Sequence, residues 1–156
     1  MMTVWRGVSS FLVSTAHDDT VGVVFPVFRE HIERLLRDQK KVFVKFAGER
    51  MFPRLHVGSK LFFYESKGSK EIVGEARIAE MTQGTVDEVL GRFGADLFLT
   101  RNELEAYAGN RRERRMLVLI LEDITRYAVP LKLDKGVTMA GRYITKTMLE
   151  NLRISQ

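Results

Sequence analysis

The sequence predicts an α+β domain in which about five to seven mixed or antiparallel strands form a sheet or small barrel with flanking helices. Three observations lead to this prediction. Apolar runs of strand length recur along the chain between turn residues, one segment carries an apolar stripe at helical spacing, and two later segments begin with helix-capping sequences. No internal repeat or linker interrupts the pattern, which favours one domain over residues 21–156, preceded by an arm or edge strand over residues 1–20.

The first half of that domain is predicted to run from strand to helix to strand. Val21–Phe25 is apolar and β-branched, and Pro26 follows where a first helical position would lie. The helix after it has an apolar stripe with spacings of four, seven and eight residues, formed by Phe28, Ile32, Leu35 and Leu36. In the next strand, Lys41–Ala47, side chains alternate so that Lys45 lies on the face opposite the valines.

A hairpin is predicted in the middle of the chain. Leu61–Tyr64 is a continuous apolar run, typical of a strand that is covered on both faces. Ser66–Ser69 supplies the turn, and Glu71–Met81 supplies the second strand. Gly74 within that strand indicates a bulge or a close approach of another backbone.

The chain from Thr85 onward is predicted to contain three helices and a central strand. Thr85 and Thr100 each precede a glutamate by three residues, which is the pattern of a capping box. Met116–Leu121 is the most apolar run and reads as a central strand that Glu122-Asp123 interrupts. The final helix directs three apolar side chains inward, namely Met148, Leu149 and Leu152.

Length and composition exclude several classes of protein. The 156 residues fit a single domain, and the absence of cysteine excludes disulfides, thiolate nucleophiles, iron–sulfur clusters and cysteine-ligated zinc. No run approaches the roughly 20 apolar residues that span a bilayer, and no secretory leader is apparent. We therefore expect a cytoplasmic protein with no membrane partner.

Positive charge is concentrated in one stretch of the chain. Between Arg29 and Lys60 nine Lys or Arg residues face four acids, a local balance of +5 that equals the formal charge of the whole protein. Such a field favours an anionic partner, of which a nucleic acid is the first choice. The structural alternative is a solvated charged face that binds nothing.

Sequence signatures of metal, cofactor or nucleophile chemistry are absent. The histidines His17, His31 and His56 are far apart, with no carboxylate at metal-ligand spacing, and no phosphate loop or dinucleotide fingerprint occurs. We expect neither metal nor cofactor. Glu75 and Lys45 are candidates for a buried pair that could serve acid–base chemistry, but we favour the alternative that Glu75 forms a surface cross-strand ion pair.

The segment after the first helix carries a family resemblance. Asp38–Lys45 stands where the ASCH branch of the PUA-like superfamily has Gly-x-Lys-x-x-Glu-x-Arg, and it keeps the lysine as Lys40 and a terminal basic residue as Lys45. Asp38 replaces the glycine and Phe43 the acid. Two later segments also resemble the family, a Val-Gly turn into a strand at 57–61 and a Gly-containing strand at 72–78. From Val21 onward the chain resembles archaeal proteins of unknown function in this superfamily.

The resemblance implies a small PUA-like β-barrel with a cleft beside the first helix that relatives use to bind RNA or modified bases. Some ASCH relatives hydrolyse acylated cytidine or cleave RNA through a lysine, a Thr or Glu three residues later, and a glutamate on a later strand. In this chain those positions are Lys40, Phe43 and Glu75. Phe43 has no titratable proton, but it offers a ring for base stacking.

Our first hypothesis is an RNA- or nucleic-acid-binding module. Four residues are expected to hold phosphate and three to stack on a base, respectively Lys40, Lys45, Arg50 and Arg54, and Phe43, Phe52 and Tyr64. The first alternative is a hydrolase or nuclease acting on modified nucleosides or RNA through Lys40 and Glu75. The second is a basic subunit that docks on an acidic protein.

Overall fold

The computed structural model describes residues 19–47 and 54–155, which fold into six strands and four α-helices. In chain order the elements are β1 (Thr20–Val27), α1 (Arg29–Leu36), β2 (Val42–Lys45), β3 (Lys60–Glu65), β4 (Glu71–Gly84), α2 (Val86–Phe93), α3 (Arg101–Ala108), a short 3-10 turn (Gly109–Arg111), β5 (Met116–Lys132), β6 (Arg142–Thr145) and α4 (Lys146–Ile154). The predicted residues 1–18 of the arm lie outside the described part.

The six strands form one sheet in the order β2-β5-β4-β3-β1-β6. The β1–β3 pair is parallel and the other four pairs are antiparallel, which confirms the predicted mixed α+β architecture. The end strands β2 and β6 do not pair with each other in the described ranges, so the sheet is open, whereas the sequence led us to expect a barrel. A short parallel bridge from Val42 to Leu97 covers the outer edge of β2 instead.

Helices cover both faces of the sheet. Successive strand side chains point to opposite faces, so Phe63 joins the large core beneath α1, α2 and α3, whereas Phe62 and Tyr64 join a smaller core with Leu149 of α4. We call these the α1–α3 face and the α4 face. The burial of both faces explains why β3 reads as a continuous apolar run.

The helix boundaries follow the signals in the sequence. The predicted stripe packs on the sheet through Ile32, Leu35 and Leu36, while Phe28 is the N-cap residue of α1 and is 46% exposed. Both predicted capping boxes are present, because Thr85 and Thr100 each exchange hydrogen bonds with the glutamate three residues later. These reciprocal bonds satisfy two of the N–H groups that a helix start leaves free.

Two predicted boundaries were wrong. Pro26 belongs to β1 and not to the helix; β6 pairs with β1 only as far as Val24, so the missing N–H of Pro26 disrupts no pairing on that edge. The expected break at Glu122-Asp123 is a bulge inside one long strand β5, where Asp123 has a φ of 52° and the register with β4 shifts.

The pairing of β4 with β5 contains a second, larger irregularity beside Gly74. A Cβ atom on Gly74 would lie 2.6 Å from the carbonyl oxygen of Thr125, which confirms the predicted close backbone approach. Immediately before Gly74 in β4, the single residue Val73 stands opposite four residues of β5, Tyr127–Pro130. This wide bulge turns Tyr127 towards the α4 face, where it packs on the smaller core.

Candidate functional site

A cavity of about 470 Å³ lies on the α1–α3 face, bounded by α1, β2 and α3. Its walls combine aromatic rings with a few polar groups. The aromatic and imidazole rings belong to Phe28, His31, Phe43, Phe98 and Tyr107, and the polar side chains to Glu30, Lys45, Ser66 and Glu103. Pockets for small ligands are typically lined in this way, with a mainly apolar wall and a small number of polar groups that orient the ligand.

The aromatic residues form a packed floor and a more open rim. Phe43 is only 3% exposed and stacks on both Phe98, at 4.7 Å between ring centroids, and Phe25, at 5.8 Å. Its ring is therefore largely used in packing within the protein. Phe28 and Tyr107 are more accessible, so they offer the better surfaces for stacking a planar ligand.

Lys45 brings a buried positive charge to the cavity. The residue is 7% exposed, and its Nζ lies 5.1 Å from the centroid of the Phe25 ring. Within the described ranges no carboxylate lies at ion-pair distance from it. Burial, and then the nearby Arg111 guanidinium, lower the pKa of the Lys45 amine below its ordinary value. A desolvated cation without a counter-charge is unfavourable for folding and marks a functional-site candidate.

Arg111 extends this positive region beside the cavity. Its guanidinium lies 4.1 Å from the ring centroid of Phe46 and 5.4 Å from that of Tyr107, and it donates a hydrogen bond to the Tyr107 carbonyl at 2.8 Å. Packing on two rings orients the guanidinium without neutralising it. Lys45 and Arg111 therefore add their fields on the same side of the cavity.

On the opposite side of the cavity, which we call the lip, an ion-pair network links α1 to α3. Arg34 forms two hydrogen bonds to the carboxylate of Glu103, one of them at 3.1 Å, and His31 Nε2 lies 3.3 Å from the same group. The Arg34 guanidinium is the main cause that lowers the pKa of Glu103 to about 2. Arg34 also donates to the carbonyl of Phe98 at 3.2 Å, so this network fixes the helix-to-helix geometry.

The same lip contains the one group of side chains in the described ranges that could present three metal-ligand atoms. Glu30, His31 and Glu103 place one such atom each within 4.8 Å of one another. The Arg34 guanidinium already occupies both oxygens of Glu103, one of which also accepts the N–H of Thr100. The position beside Glu103 thus already holds a positive charge, and the arrangement serves as a salt-bridge network.

The structure brings two of the predicted binding residues, Phe43 and Lys45, into the cavity and leaves the other described ones outside it. Lys40 Nζ donates to the carbonyl of Ala95 at 2.7 Å, just beyond the end of α2. Arg54 donates to Thr20 Oγ1 at 3.2 Å, beside β1. Tyr64 is buried on the α4 face. Arg50 and Phe52 lie outside the described residues.

Glu75 lies on the α4 face, opposite Phe62 in the β3–β4 pair. Its carboxylate accepts hydrogen bonds from Lys60 Nζ at 2.5 Å and from the Tyr127 hydroxyl at 2.7 Å, and Arg153 lies 3.7 Å away. Glu75 does not form the candidate buried pair with Lys45, because the two side chains lie on different faces of the sheet. The favoured alternative, a cross-strand ion pair, matches the contact with Lys60 of β3.

Several cavity residues were missed by reasoning from the sequence. Glu103, Tyr107 and Phe98 come from a segment more than 50 residues after β2, and only the fold brings them to it. A signal was available for two of them. Glu103 and Tyr107 are four residues apart on a predicted helix and therefore share one of its faces.

Comparison with solved structures defines the class of fold. A crystal structure of a variant ASCH protein from Zymomonas mobilis superposes with a TM-score of 0.74 at 18% identity, covering 88% of this chain and 97% of that one. The N-terminal domain of McrB from Staphylothermus marinus superposes with a TM-score of 0.52 at 13% identity, covering 89% and 98%. The fold is therefore similar to that of ASCH proteins, as the sequence predicted.

Within that class, the chain belongs to the family described as Domain of unknown function (DUF365), whose model matches residues 20–146. It is also 25% identical over 103 residues to an uncharacterized protein of Methanocaldococcus jannaschii, an alignment that covers 60% of this chain and 95% of the relative. The predicted resemblance to archaeal proteins of unknown function is thus confirmed. None of the helices described is long and apolar enough to cross a bilayer.

Proposed function

We propose that the cavity binds one nucleotide of RNA or of another nucleic acid. The single observation that carries this proposal is the buried Lys45 amine, which faces an aromatic-lined cavity without a counter-charge among the described residues. A phosphate or an electronegative base atom would supply the missing partner. The ligand would thereby offset the desolvation of the lysine.

The rest of the cavity fits this class of ligand. Its volume of about 470 Å³ lies within the range usual for small-ligand sites and is ample for a nucleoside. Phe28 and Tyr107 would stack on the base, and Arg111 would add to the attraction of phosphate. The ASCH resemblance, whose relatives bind RNA or modified bases, supports the same class of ligand.

The other residues that the sequence predicts as contacts differ in the roles we assign to them. Arg50 and Phe52 follow β2 in the chain, and we retain them as contacts for a neighbouring phosphate and base. Lys40 is held by the carbonyl of Ala95 and Tyr64 lies in the smaller core, so we assign both to the stability of the fold. Arg54 would contribute only through its long-range field.

Binding of fluorescein-labelled pentanucleotides of adenosine, cytidine or uridine, followed by fluorescence anisotropy, tests the proposal. We expect Lys45→Met to weaken binding of the best ligand about tenfold or more, because a charge-assisted hydrogen bond is lost. Lys146→Met is the matched control, since it removes the same charge from an exposed position at the start of α4. Equal losses in both variants, or no binding to the wild-type protein, would reject the site.

The two alternative functions receive less support from the described contacts. A hydrolase working through Lys40 and Glu75 would need both groups at one substrate, yet Lys40 contacts Ala95 whereas Glu75 contacts Lys60 and Tyr127 on the α4 face. A subunit docking on an acidic protein would retain its partner in a pull-down after nuclease treatment. A nucleic-acid-bridged partner would be released by the same treatment.

A further inference from the structure

The edge of strand β2 that faces away from β5 borders the cavity and is only partly covered by the described residues. On its other side β2 pairs with β5, and the N–H of Leu121 donates to the carbonyl of Lys41 at 2.7 Å. Antiparallel pairs alternate between those that exchange hydrogen bonds and those that do not. The backbone groups of Val42 and Val44 therefore point away from β5, towards that edge.

The first of these two edge positions is occupied. Val42 donates its N–H to the carbonyl of Asp96 at 3.0 Å, and its own carbonyl accepts the N–H of Phe98 at 3.1 Å. This covering segment then leaves the edge, because Thr100 caps α3 and gives its N–H to Glu103. The chain that could have paired with the next edge position is thereby turned into a helix.

The second edge position, Val44, has no backbone hydrogen-bond partner in the part of the chain that the structure describes. Beyond it, the N–H of Phe46 is taken by the hydroxyl of Tyr107 at 2.9 Å. Between these two occupied positions, Val44 is only 2% exposed and lines the cavity, yet neither its N–H nor its carbonyl has a hydrogen-bond partner among residues 19–47 and 54–155. Buried backbone groups are nearly always paired, so such a gap points to a partner that is added from outside.

The width of the gap restricts what that partner can be. An extended peptide that adds a strand to a sheet edge needs several consecutive free positions, whereas Val44 is one position between two that are filled. A planar ring with a hydrogen-bond acceptor next to a donor needs only one N–H and one carbonyl. Each of the four RNA bases carries such an adjacent pair on its Watson–Crick edge.

We propose that the N–H and carbonyl of Val44 bind the Watson–Crick edge of the base held in the cavity. This inference rests on the proposed function and adds a consequence to it. Because all four bases present an acceptor beside a donor, the contact does not select a base by its identity. It selects an unpaired base with an unblocked edge, so the domain would bind single-stranded and not duplex nucleic acid.

The test uses the pentanucleotide that binds most tightly and its counterpart methylated on the Watson–Crick edge in a form that stays uncharged (N⁶,N⁶-dimethyladenosine, N⁴,N⁴-dimethylcytidine or 3-methyluridine). The matched control carries its methyl group elsewhere on the ring, as 8-methyladenosine, 5-methylcytidine or 5-methyluridine. We expect edge methylation to weaken binding about tenfold or more, as for a lost bidentate base contact, and the control methyl group to have a much smaller effect.

A second readout follows the backbone itself by ¹H–¹⁵N NMR during titration with the unmodified pentanucleotide. We expect the Val44 amide proton to shift downfield as it gains an acceptor, while the Val42 amide, which already donates to Asp96, changes little. Both results are required for the inference. Binding that depends on Lys45 but tolerates edge methylation, or leaves the Val44 amide unmoved, overturns it and keeps the proposed function; no binding of any pentanucleotide overturns both.

Discussion

Two lysines from the same basic stretch meet opposite environments on the two faces of the sheet. Lys60 lies on β3 with its amine 2.5 Å from Glu75, which also accepts the Tyr127 hydroxyl. Lys45 lies on β2 in the cavity, almost fully buried, with no carboxylate partner in the described chain. A buried charge without a partner destabilises the fold more than a paired one, and it marks a functional-site candidate. The difference separates a structural lysine from a candidate ligand-binding one.

The largest effect is expected for the ion pair between Arg34 and Glu103 at the lip of the cavity. It tests whether charges at the lip are paired as well as those on the α4 face. Glu103→Gln removes the charged partner of Arg34, so we expect the free energy of unfolding at pH 7 to fall by about 2 kcal/mol. Glu105→Gln is the control on the same helix, since its ion pair with Arg112 is exposed and should contribute little. Urea unfolding measures both.

The same variant has a defined dependence on pH. Because the pKa of Glu103 is lowered to about 2 in the folded protein, its contribution is present above the ordinary carboxyl value near 4.5 and disappears as the pH falls towards 2. The difference between wild type and Glu103→Gln should therefore shrink over that interval. A difference that stays constant down to pH 2.5 would mean that the lip is not a compensated network.

A smaller pair of effects with opposite signs tests the two lysines directly. We expect Lys45→Met to raise the free energy of unfolding at pH 7 by about 1 kcal/mol, because it removes a buried unpaired charge. Lys60→Met should lower it by about 1 kcal/mol, since Glu75 loses a hydrogen bond on a largely buried carboxylate. If the two changes had the same sign in urea unfolding, the contrast between the faces would not hold.

The effect of Lys45→Met on the free energy of unfolding should also depend on pH. The pKa of Lys45 is lowered in the folded protein, so above that pKa the unfolded chain binds more protons than the folded one. The contribution of Lys45 to the free energy of unfolding of the wild-type protein therefore rises as the pH increases towards the ordinary lysine pKa near 10.5. The advantage of Lys45→Met at pH 7 should diminish by pH 10.

The smallest effect is expected from Tyr127→Phe. Removing the hydroxyl deletes one hydrogen bond to Glu75 while Lys60 keeps its contact, so the loss of unfolding free energy should be about 0.5–1 kcal/mol. Pentanucleotide affinity should be unchanged, because Tyr127 belongs to the α4 face. A weakening of binding comparable to that of Lys45→Met would show that the two faces are functionally coupled.

The fold was largely predictable because its elements are specified locally. Each signal can be recognised within about ten residues of sequence. The signals are the capping boxes at Thr85 and Thr100, the apolar stripe of α1 and the apolar runs of β3 and β5. The errors arose where pairing overrides local preference. Pro26 is tolerated because its edge of β1 is not paired there, and Asp123 is absorbed as a bulge within β5.

Of the five predicted binding residues that the structure describes, two line the cavity. The charge count and the family motif drew attention to β2, and Phe43 and Lys45 do line the cavity. Lys40, only five residues before Lys45, contacts the end of another helix, which no charge count can reveal. The sequence could not predict that the N–H and carbonyl of Val44 lack a partner among the described residues, since this depends on where the chain near Thr100 turns into a helix.

The wide bulge of β5 has a consequence for how copies of this protein meet in concentrated solution. One edge of β5 pairs with β4, whereas on the other edge β2 covers only four residues and no further strand follows as far as Lys132 in the described chain. An exposed strand edge invites self-association. Tyr127–Pro130 break its regular row of donors and acceptors, and Pro130 removes one donor altogether. The longest strand of the sheet thus carries its own protection against edge-to-edge aggregation.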